Sequence, residues 1–386
     1  MNILFFCVHP IVATEGGISR ISDSLIQIFR NNGHNVFILS EKRETITDDE
    51  WSFCLPNNNY DEMCLSYVID LCKDSKIDLI INQSSLNKRV VFFFEKMVNK
   101  YPIRICSCIH NCTKTPILNY AYQKEFFLRQ HKMSFLFYVL KTKFAKKILL
   151  FLYILKYKKL YSKLAKISES VVVLDEKLIP EFQIFIPRKY YNKIKVAPNC
   201  LPIRNWNCNE EKKKIILWVA SVNIEVKRID LILNAWKEIY LSNPEWNLFI
   251  LGDGPNMGFA KDFVKKHNIQ NISFEGRVNP FPYYEKASLL AVTSTHESFS
   301  LVIIEAQQHK VVPVVINSFP VASTLIQDGI NGILVNQFDY RDFAKNMNRL
   351  MKNEALLKKV SSTCQENIFK YSPEYVYNTY WKKILG

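Results

Sequence analysis

Residues 287–309 read ASLLAVTSTHESFSLVIIEAQQH, and the fold is decided by how this stretch divides. Its first part, 287–295, is a run of apolar and β-branched residues with the composition of a buried strand, and its last part, 301–309, reads as a helix. Glu297 therefore stands in a strand-to-helix turn. Glu305, with seven residues between the two, stands in the first turns of the helix. The free N–H groups around Phe299, Ser300 and Leu301 form an anion site at the start of that helix. Two acids beside an anion site make sense if they bind another part of the same ligand. A ligand with both phosphate and hydroxyl groups, such as a sugar nucleotide, satisfies both demands.

Outward from this stretch, strand and helix signals alternate twice. In the first half strands fit 3–8, 36–39, 79–82, 103–109 and 171–174, with helices over 18–31 and 90–100. In the second half strands fit 215–220, 248–251, 272–274, 289–293 and 311–316, with helices over 229–240, 259–266 and 301–308. Pro187, the run PNCLP at 198–202 and the polar run 207–214 mark a connector, because closely spaced prolines stop either element type. Such alternation implies parallel sheets covered on both faces, each a doubly wound α/β domain that holds ligands at the carboxyl ends of its strands. A length of 386 residues suits about two such domains. The expected division is 1–198, 199–370 and a last helix in 371–386 that packs back on the first domain.

The net charge of +15 is concentrated in one place. Residues 114–166 hold thirteen Lys and Arg against one acid, Glu125, so this segment alone carries twelve of the fifteen charges. Tyr120, Tyr122, Phe126, Phe127, Phe135, Phe137, Tyr138, Phe144, Phe151 and Tyr153 are interleaved with them. Two readings fit: helices resting on the anionic inner face of a membrane, or solvated helices whose lysine stems cover a core. A nucleic-acid role lacks any recognition motif. The longest apolar run in this basic middle, 148–155, is far short of the ~20 residues a spanning helix needs. The first residues, MNILFFCVHPIVATEGG, carry no basic leader or small-residue cleavage pattern, so a cytoplasmic protein is expected. Ten cysteines without paired spacing read as reduced thiols, with no metal site.

The second half resembles the nucleotide-binding domain of a retaining glycosyltransferase of family 4. The resemblance rests on KIKVAPNCLPI (193–203), ILWVASVNIEVKRIDLILNAWKEI (216–239), NLFILGDGP (247–255), ISFEGRVNP (272–280), YYEKASLLAVTSTHESFSLVIIEAQQHKVVPVV (283–315) and IQDGINGILV (326–335). The paired glutamates match that family's Glu-x7-Glu motif. In the first half it rests on ILFFCVHPIVATEGGISRI, on IHN at 109–111 and on VVVLDEKL at 171–178. It implies the GT-B fold, two Rossmann-like domains facing each other across a cleft. It also implies metal-independent transfer of a hexosyl group, with retained configuration and no cofactor, from a nucleotide sugar, UDP favoured over GDP. The acceptor is expected to be a glycan or polyprenyl-linked hydroxyl in surface polysaccharide synthesis, with the protein cytoplasmic or peripheral on the inner membrane face.

The resemblance also distributes roles. Glu305 falls to the ribose hydroxyls, and Glu297 to the transferred sugar and its anomeric carbon. Ser298, Phe299, Ser300 and Leu301 fall to the phosphates through backbone amides. His110, at the end of a buried strand, faces the donor sugar, where a neutral imidazole donates or accepts a hydrogen bond. Gly16-Gly17 form a tight turn before a helix, which brings amides to a phosphate or acceptor. Lys227 braces the departing diphosphate. The family's Gly-Arg reads Ala220-Ser221 here, so the cations left to replace the arginine are Arg228 and Arg277, the latter followed by Val278. Loss of one preorganised cation raises a barrier by a few kcal/mol. The competing reading is therefore a glycosyltransferase-like binding subunit of weak or no turnover, docked at the membrane.

Overall fold

The computed structural model describes residues 1–11, 16–41, 51–201, 211–336 and 338–386; part of the proline-marked connector, including Pro202 and 207–210, lies outside them. The chain divides into two units. The first comprises Met1–Cys112, Phe151–Arg204 and Tyr371–Gly386, and the second Thr113–Leu150 and Asn205–Lys370.

In the first unit seven strands form one sheet: β1 (Asn2–Cys7), β2 (Asn35–Ser40), β3 (Ser52–Cys54), β4 (Leu79–Asn82), β5 (Arg104–Ile109), β6 (Ser170–Val173) and β7 (Ile194–Val196). The spatial order is β3-β2-β1-β4-β5-β6-β7, with every pairing parallel. Order reverses between β1 and β4, so the crevice for a ligand opens at their carboxyl ends. The strands are short and almost wholly apolar because helices cover both faces. The helix Lys88–Lys100 shows why they pack: Asn87 caps it by accepting from the Arg89 N–H, and Val90, Phe93, Phe94 and Met97 make one buried stripe. Phe94 meets Phe6 edge to face with ring centres 5.1 Å apart.

The second unit repeats the pattern with β8 (Ile215–Val219), β9 (Asn247–Leu251), β10 (Ile272–Gly276), β11 (Leu289–Val292), β12 (Val312–Ile316) and β13 (Ile333–Val335). Their order is β10-β9-β8-β11-β12-β13, again all parallel, with the reversal between β8 and β11. The helix Ile229–Ile239 buries Leu231, Ile232, Ala235 and Trp236 on this sheet, and the Trp236 indole N–H donates to the Gln270 carbonyl at 3.1 Å. Both units are the doubly wound α/β domains expected from the alternating pattern. The nine cysteines among the described residues are free thiols, eight of them buried.

One segment groups differently from the sequence-based division. The basic aromatic stretch 114–166, expected whole in the first domain, parts at Leu150, and its first portion groups with the second unit. Side chains that composition does not reveal hold it there. The Asn119 amide donates to the carbonyls of Thr295 and Ser318 at 2.7 Å each, Tyr122 stacks on Phe338 at 4.1 Å, and Phe126 meets Phe259 edge-on at 4.8 Å. The tail Tyr371–Gly386 groups with the first unit. There Trp381 packs against Phe29 at 5.3 Å, and His34 Nε2 hydrogen-bonds the Tyr377 hydroxyl at 2.7 Å.

The end of β9 lies against the loop after β8 with no room for a side chain. A Cβ on Gly252, whose φ is 139°, would fall 1.8 Å from the Ala220 carbonyl oxygen. One on Gly254 would meet Val222 backbone at 2.6 Å. Gly252→Ala is therefore expected to lower unfolding free energy by about 2 kcal/mol or more. Chemical denaturation would show it as a reduced midpoint at unchanged slope.

Candidate active site

In the second unit the site grows from the loops that leave β8 and β11 at the switch point. The loop after β11 is tied to the loop after β8 by a short ladder: the Thr295 N–H donates to the Val226 carbonyl at 2.7 Å, and the Thr293 hydroxyl donates to the Lys227 carbonyl at 2.7 Å. Trp218, buried in β8, donates its indole N–H to the same Thr293 oxygen at 3.0 Å. Ser318 adds a hydroxyl to the Ser294 carbonyl at 2.6 Å. Backbone held this way fixes two side chains against each other. Lys227 Nζ lies 2.5 Å from Glu297 Oε1, and the Ser294 hydroxyl donates to that oxygen at 2.7 Å. Both members of the pair are mostly buried, at 26% and 15% side-chain exposure, so solvent screens their attraction only in part.

The helix Leu301–Gln308 begins at Ser300, which has the left-handed φ of 66°. That conformation turns the serine away from its usual capping role. Its hydroxyl caps no N–H, is buried, and has no hydrogen-bond partner. The Ile303 N–H turns back to the Ser300 carbonyl at 3.1 Å, and the buried hydroxyl stands at the start of the helix, where amides have no partner further along the helix. Phe299 is buried at 1% exposure, and Ser298 is half-buried beside it. Glu305, expected at the ligand's edge, has no exposed surface and accepts from the Tyr284 hydroxyl at 3.3 Å. It is no solvated helix carboxylate.

The two arginines separate. Arg228 also has a left-handed φ, 54°, and its guanidinium is 5% exposed. It donates to both Asp230 oxygens (Nε to Oδ1 and Nη2 to Oδ2, 2.9 Å each), to Glu125 at 3.2 Å and to the Tyr122 carbonyl at 3.2 Å. A cation engaged with two carboxylates does not offer its charge to a diphosphate, so Arg228 is not the substitute expected at Ser221. Arg277 and Val278 are exposed after the edge strand β10. They lie two strands, roughly 10 Å, from β8.

In the first unit His110 follows β5 and is half-buried. Its Nε2–H donates to Gln83 Oε1 at the end of β4. That bond fixes the tautomer and leaves Nδ1 as the acceptor. Burial pushes the imidazole down to about 4, so it is neutral at physiological pH. Gly16 has φ 52° at the start of the helix Gly17–Asn31, which accounts for glycine there. Residues 12–15 before it lie outside the described residues.

Comparison with known proteins fits this geometry. Residues 203–367 match the family model of glycosyl transferases group 1. The chain carries a glycosyltransferase group 1 domain. An uncharacterized glycosyltransferase of Haemophilus influenzae is 30% identical over 200 residues, covering 51% of this chain and 56% of that protein. The amylovoran biosynthesis glycosyltransferase AmsD of Erwinia amylovora is 24% identical over 179 residues, covering 45% and 49%. The poly(glycerol-phosphate) alpha-glucosyltransferase of Bacillus subtilis is 30% identical over 176 residues, covering 45% and 26%. The chain thus spans about half the length of the first relatives it matches. Solved structures cover far more. HepE of Anabaena, in complex with UDP and glucose, superposes with a TM-score of 0.74 at 13% identity over 100% of this chain and 99% of that one. TarM of S. aureus, in complex with Fondaparinux, alpha-GlcNAc-glycerol and UDP, gives 0.74 at 15% identity over 99% of each. These likenesses establish the GT-B architecture for the group 1 domain and its companion.

Sequence reasoning missed Gln83, Glu125, Asp230, Tyr284 and Thr293, each of which positions a residue it did name. Only Asp230 left a local signal, two places after Arg228. The pairing of Glu125 with Arg228 spans 103 positions and shows no spacing to read.

Two measurements follow from this geometry. His110 is held below its unfolded value, so its contribution to stability is complete above pH about 6.5 and is lost as pH falls towards 4. The loss is about 3 kcal/mol at most. His110→Asn should flatten the fall in urea midpoint across that window, even though it is less stable at pH 7.5. Removing Glu125 leaves Arg228 its Asp230 partner, so Glu125→Gln should cost about 1–2 kcal/mol in thermal unfolding. Arg228→Met strands the buried Asp230 carboxylate, while Glu125 keeps Arg129, and should cost about 3 kcal/mol.

Proposed function

We propose that this protein is a retaining glycosyltransferase moving a sugar from a nucleotide-diphosphate sugar, UDP before GDP, to a hydroxyl of a glycan or polyprenyl-linked acceptor. The observation that carries the reading is the buried, unpartnered Ser300 hydroxyl at a helix N-terminus at the switch point, in a loop that also pairs Lys227 with Glu297. Such a point favours an anion, and the Lys227 ammonium of the same loop pair supplies the charge that a diphosphate gathers on leaving.

In this reading the β-phosphate sits on the amides of Phe299, Ser300 and Leu301 and on the Ser300 hydroxyl, and Lys227 turns from Glu297 to the diphosphate. The bond between the anomeric carbon and the diphosphate oxygen breaks, the acceptor oxygen bonds to that carbon on the same face, and its proton passes to a diphosphate oxygen. Glu297, released from Lys227, lies beside the positive charge that develops on the sugar. In the first unit, neutral His110 is the candidate for a sugar hydroxyl, by the family resemblance. Glu305 takes the ribose hydroxyls, which requires the Tyr284 hydroxyl to give way, since the carboxylate is covered. Arg277 and Val278 of the second unit are further donor-binding candidates, as are Gly16 and Gly17 of the first. No metal or cofactor enters, because Lys227 and the helix amides supply the positive field. Surface polysaccharide synthesis suits the relatives, and an anionic membrane surface facing 114–166 on the cytoplasmic side completes the set of partners.

One observation favours slow turnover: with Arg228 engaged by Asp230 and Glu125, Ser221 stands where the family's arginine would act, and no neighbour in that loop replaces its charge. A binding subunit is the limit of that series.

Incubation with labelled nucleotide sugars should release nucleoside diphosphate, faster with a lipid-linked acceptor. Glu305→Ala should weaken nucleotide binding by roughly tenfold, the loss of a charge-assisted pair. No release with any donor, together with nucleotide affinity untouched by Glu305→Ala, removes both the enzyme and the ribose assignment.

A further inference from the structure

The helix Lys143–Ile167 is apolar on two sides. Its inner side is expected: Tyr153 and Tyr161 pack edge-on against Phe185 at 5.7 and 4.7 Å, and Tyr161 and Leu164 are buried. Its outer side is not. Phe144, Ile148, Phe151, Leu152 and Leu155 are 74, 43, 60, 55 and 59% exposed, and at 100° per residue they fall within an arc of about 100°. A solvated helix keeps that arc polar. Large apolar side chains grouped on an exposed face mark a contact surface, whereas scattered ones do not.

The charges around the stripe identify what it meets. Lys143 and Lys147 flank it on one side and Lys156 on the other, while Lys158 and Lys159 continue its line past Leu155; all five are exposed. None of them forms an ion pair among the described residues. The only acid in 114–166, Glu125, is engaged by Arg228 and Arg129. A second copy on this face would bring two cationic surfaces together. An anionic bilayer accepts both the apolar stripe and its lysine border. The stripe spans twelve residues, about 18 Å, against the ~30 Å of a hydrocarbon core, and no helix among the described residues is long and apolar enough to cross a membrane.

We infer that the outer face of this helix lies flat in the surface of an anionic bilayer, with the five apolar side chains below the headgroups and the lysines among them. This settles between the two readings of the basic segment, since lysine stems covering a core would leave no phenylalanine outermost. It also names the acceptor class. On the glycosyl-transfer reading above, a protein docked this way works on a hydroxyl presented at the bilayer, a lipid-borne acceptor in preference to a free glycan. The bilayer contact itself does not rest on that reading.

Flotation of the full chain with phosphatidylcholine vesicles, with and without phosphatidylglycerol, tests it. The protein should float with the anionic vesicles and release as salt rises. Phe151→Glu/Leu155→Glu should cut partitioning at least roughly tenfold with unchanged thermal unfolding, because both side chains are exposed. Lys147→Glu/Lys158→Glu/Lys159→Glu should cut it roughly a hundredfold, at about fivefold per basic residue, and abolish the preference for phosphatidylglycerol. Turnover on a water-soluble acceptor should be unchanged in both, while turnover on a vesicle-borne acceptor falls with binding. Equal partitioning of wild type and variants, no flotation, or a concentration-dependent dimer that Phe151→Glu/Leu155→Glu dissolves would each overturn the inference. Flotation without nucleoside diphosphate release leaves the surface standing and removes the transfer reading alone.

Discussion

The pairing of Lys227 with Glu297 depends on how two loops are tied at the switch point of the second sheet. Neither side chain would hold the other across open solvent, where an exposed ion pair contributes about 0–1 kcal/mol. Here the Thr293 and Thr295 bonds to the 225–227 backbone fix the loops, and Trp218 fixes Thr293 from the core. The ammonium is thus held by Glu297 in the loop that leads to the helix beginning at Ser300. The loop backbone is preorganised in this way, and only the Lys227 side chain has to change partner on the transfer reading proposed above.

Arg228 shows the same economy in a different role. A left-handed φ in a residue with a full side chain costs on the order of 1 kcal/mol, and the position would suit glycine. The arginine persists because its guanidinium binds Asp230 on the next turn and Glu125 from the 113–150 segment at once. It therefore ties a helical excursion of the chain to the loop that carries Lys227. The same contacts explain why its charge is unavailable for a diphosphate.

Much of this was legible in the residues. The alternation of short β-rich runs with helical patterns gave two doubly wound units, because parallel strands buried on both faces must be apolar and short. The helix Leu301–Gln308 was read to within one residue, since an apolar run there follows a polar turn. What the sequence hid was non-local: the docking of Asn119 on Thr295 and Ser318, the Gln83 that sets the His110 tautomer, and the burial of Glu305 under Tyr284. Composition counted the lysines of 114–166 but did not say which way the phenylalanines faced. Periodicity along one helix left that open because apolar residues occupy both of its sides.

The most direct test is calorimetric titration of UDP into the wild type, Lys227→Met and Glu297→Gln. If Lys227 is held by Glu297 for transfer to a diphosphate, Lys227→Met weakens UDP roughly ten- to a hundredfold, the loss of one charge-assisted bond. Glu297→Gln leaves UDP as tight or tighter, because the competing carboxylate is gone. UDP affinity insensitive to Lys227→Met, or weakened by Glu297→Gln as strongly as by Lys227→Met, would contradict the account.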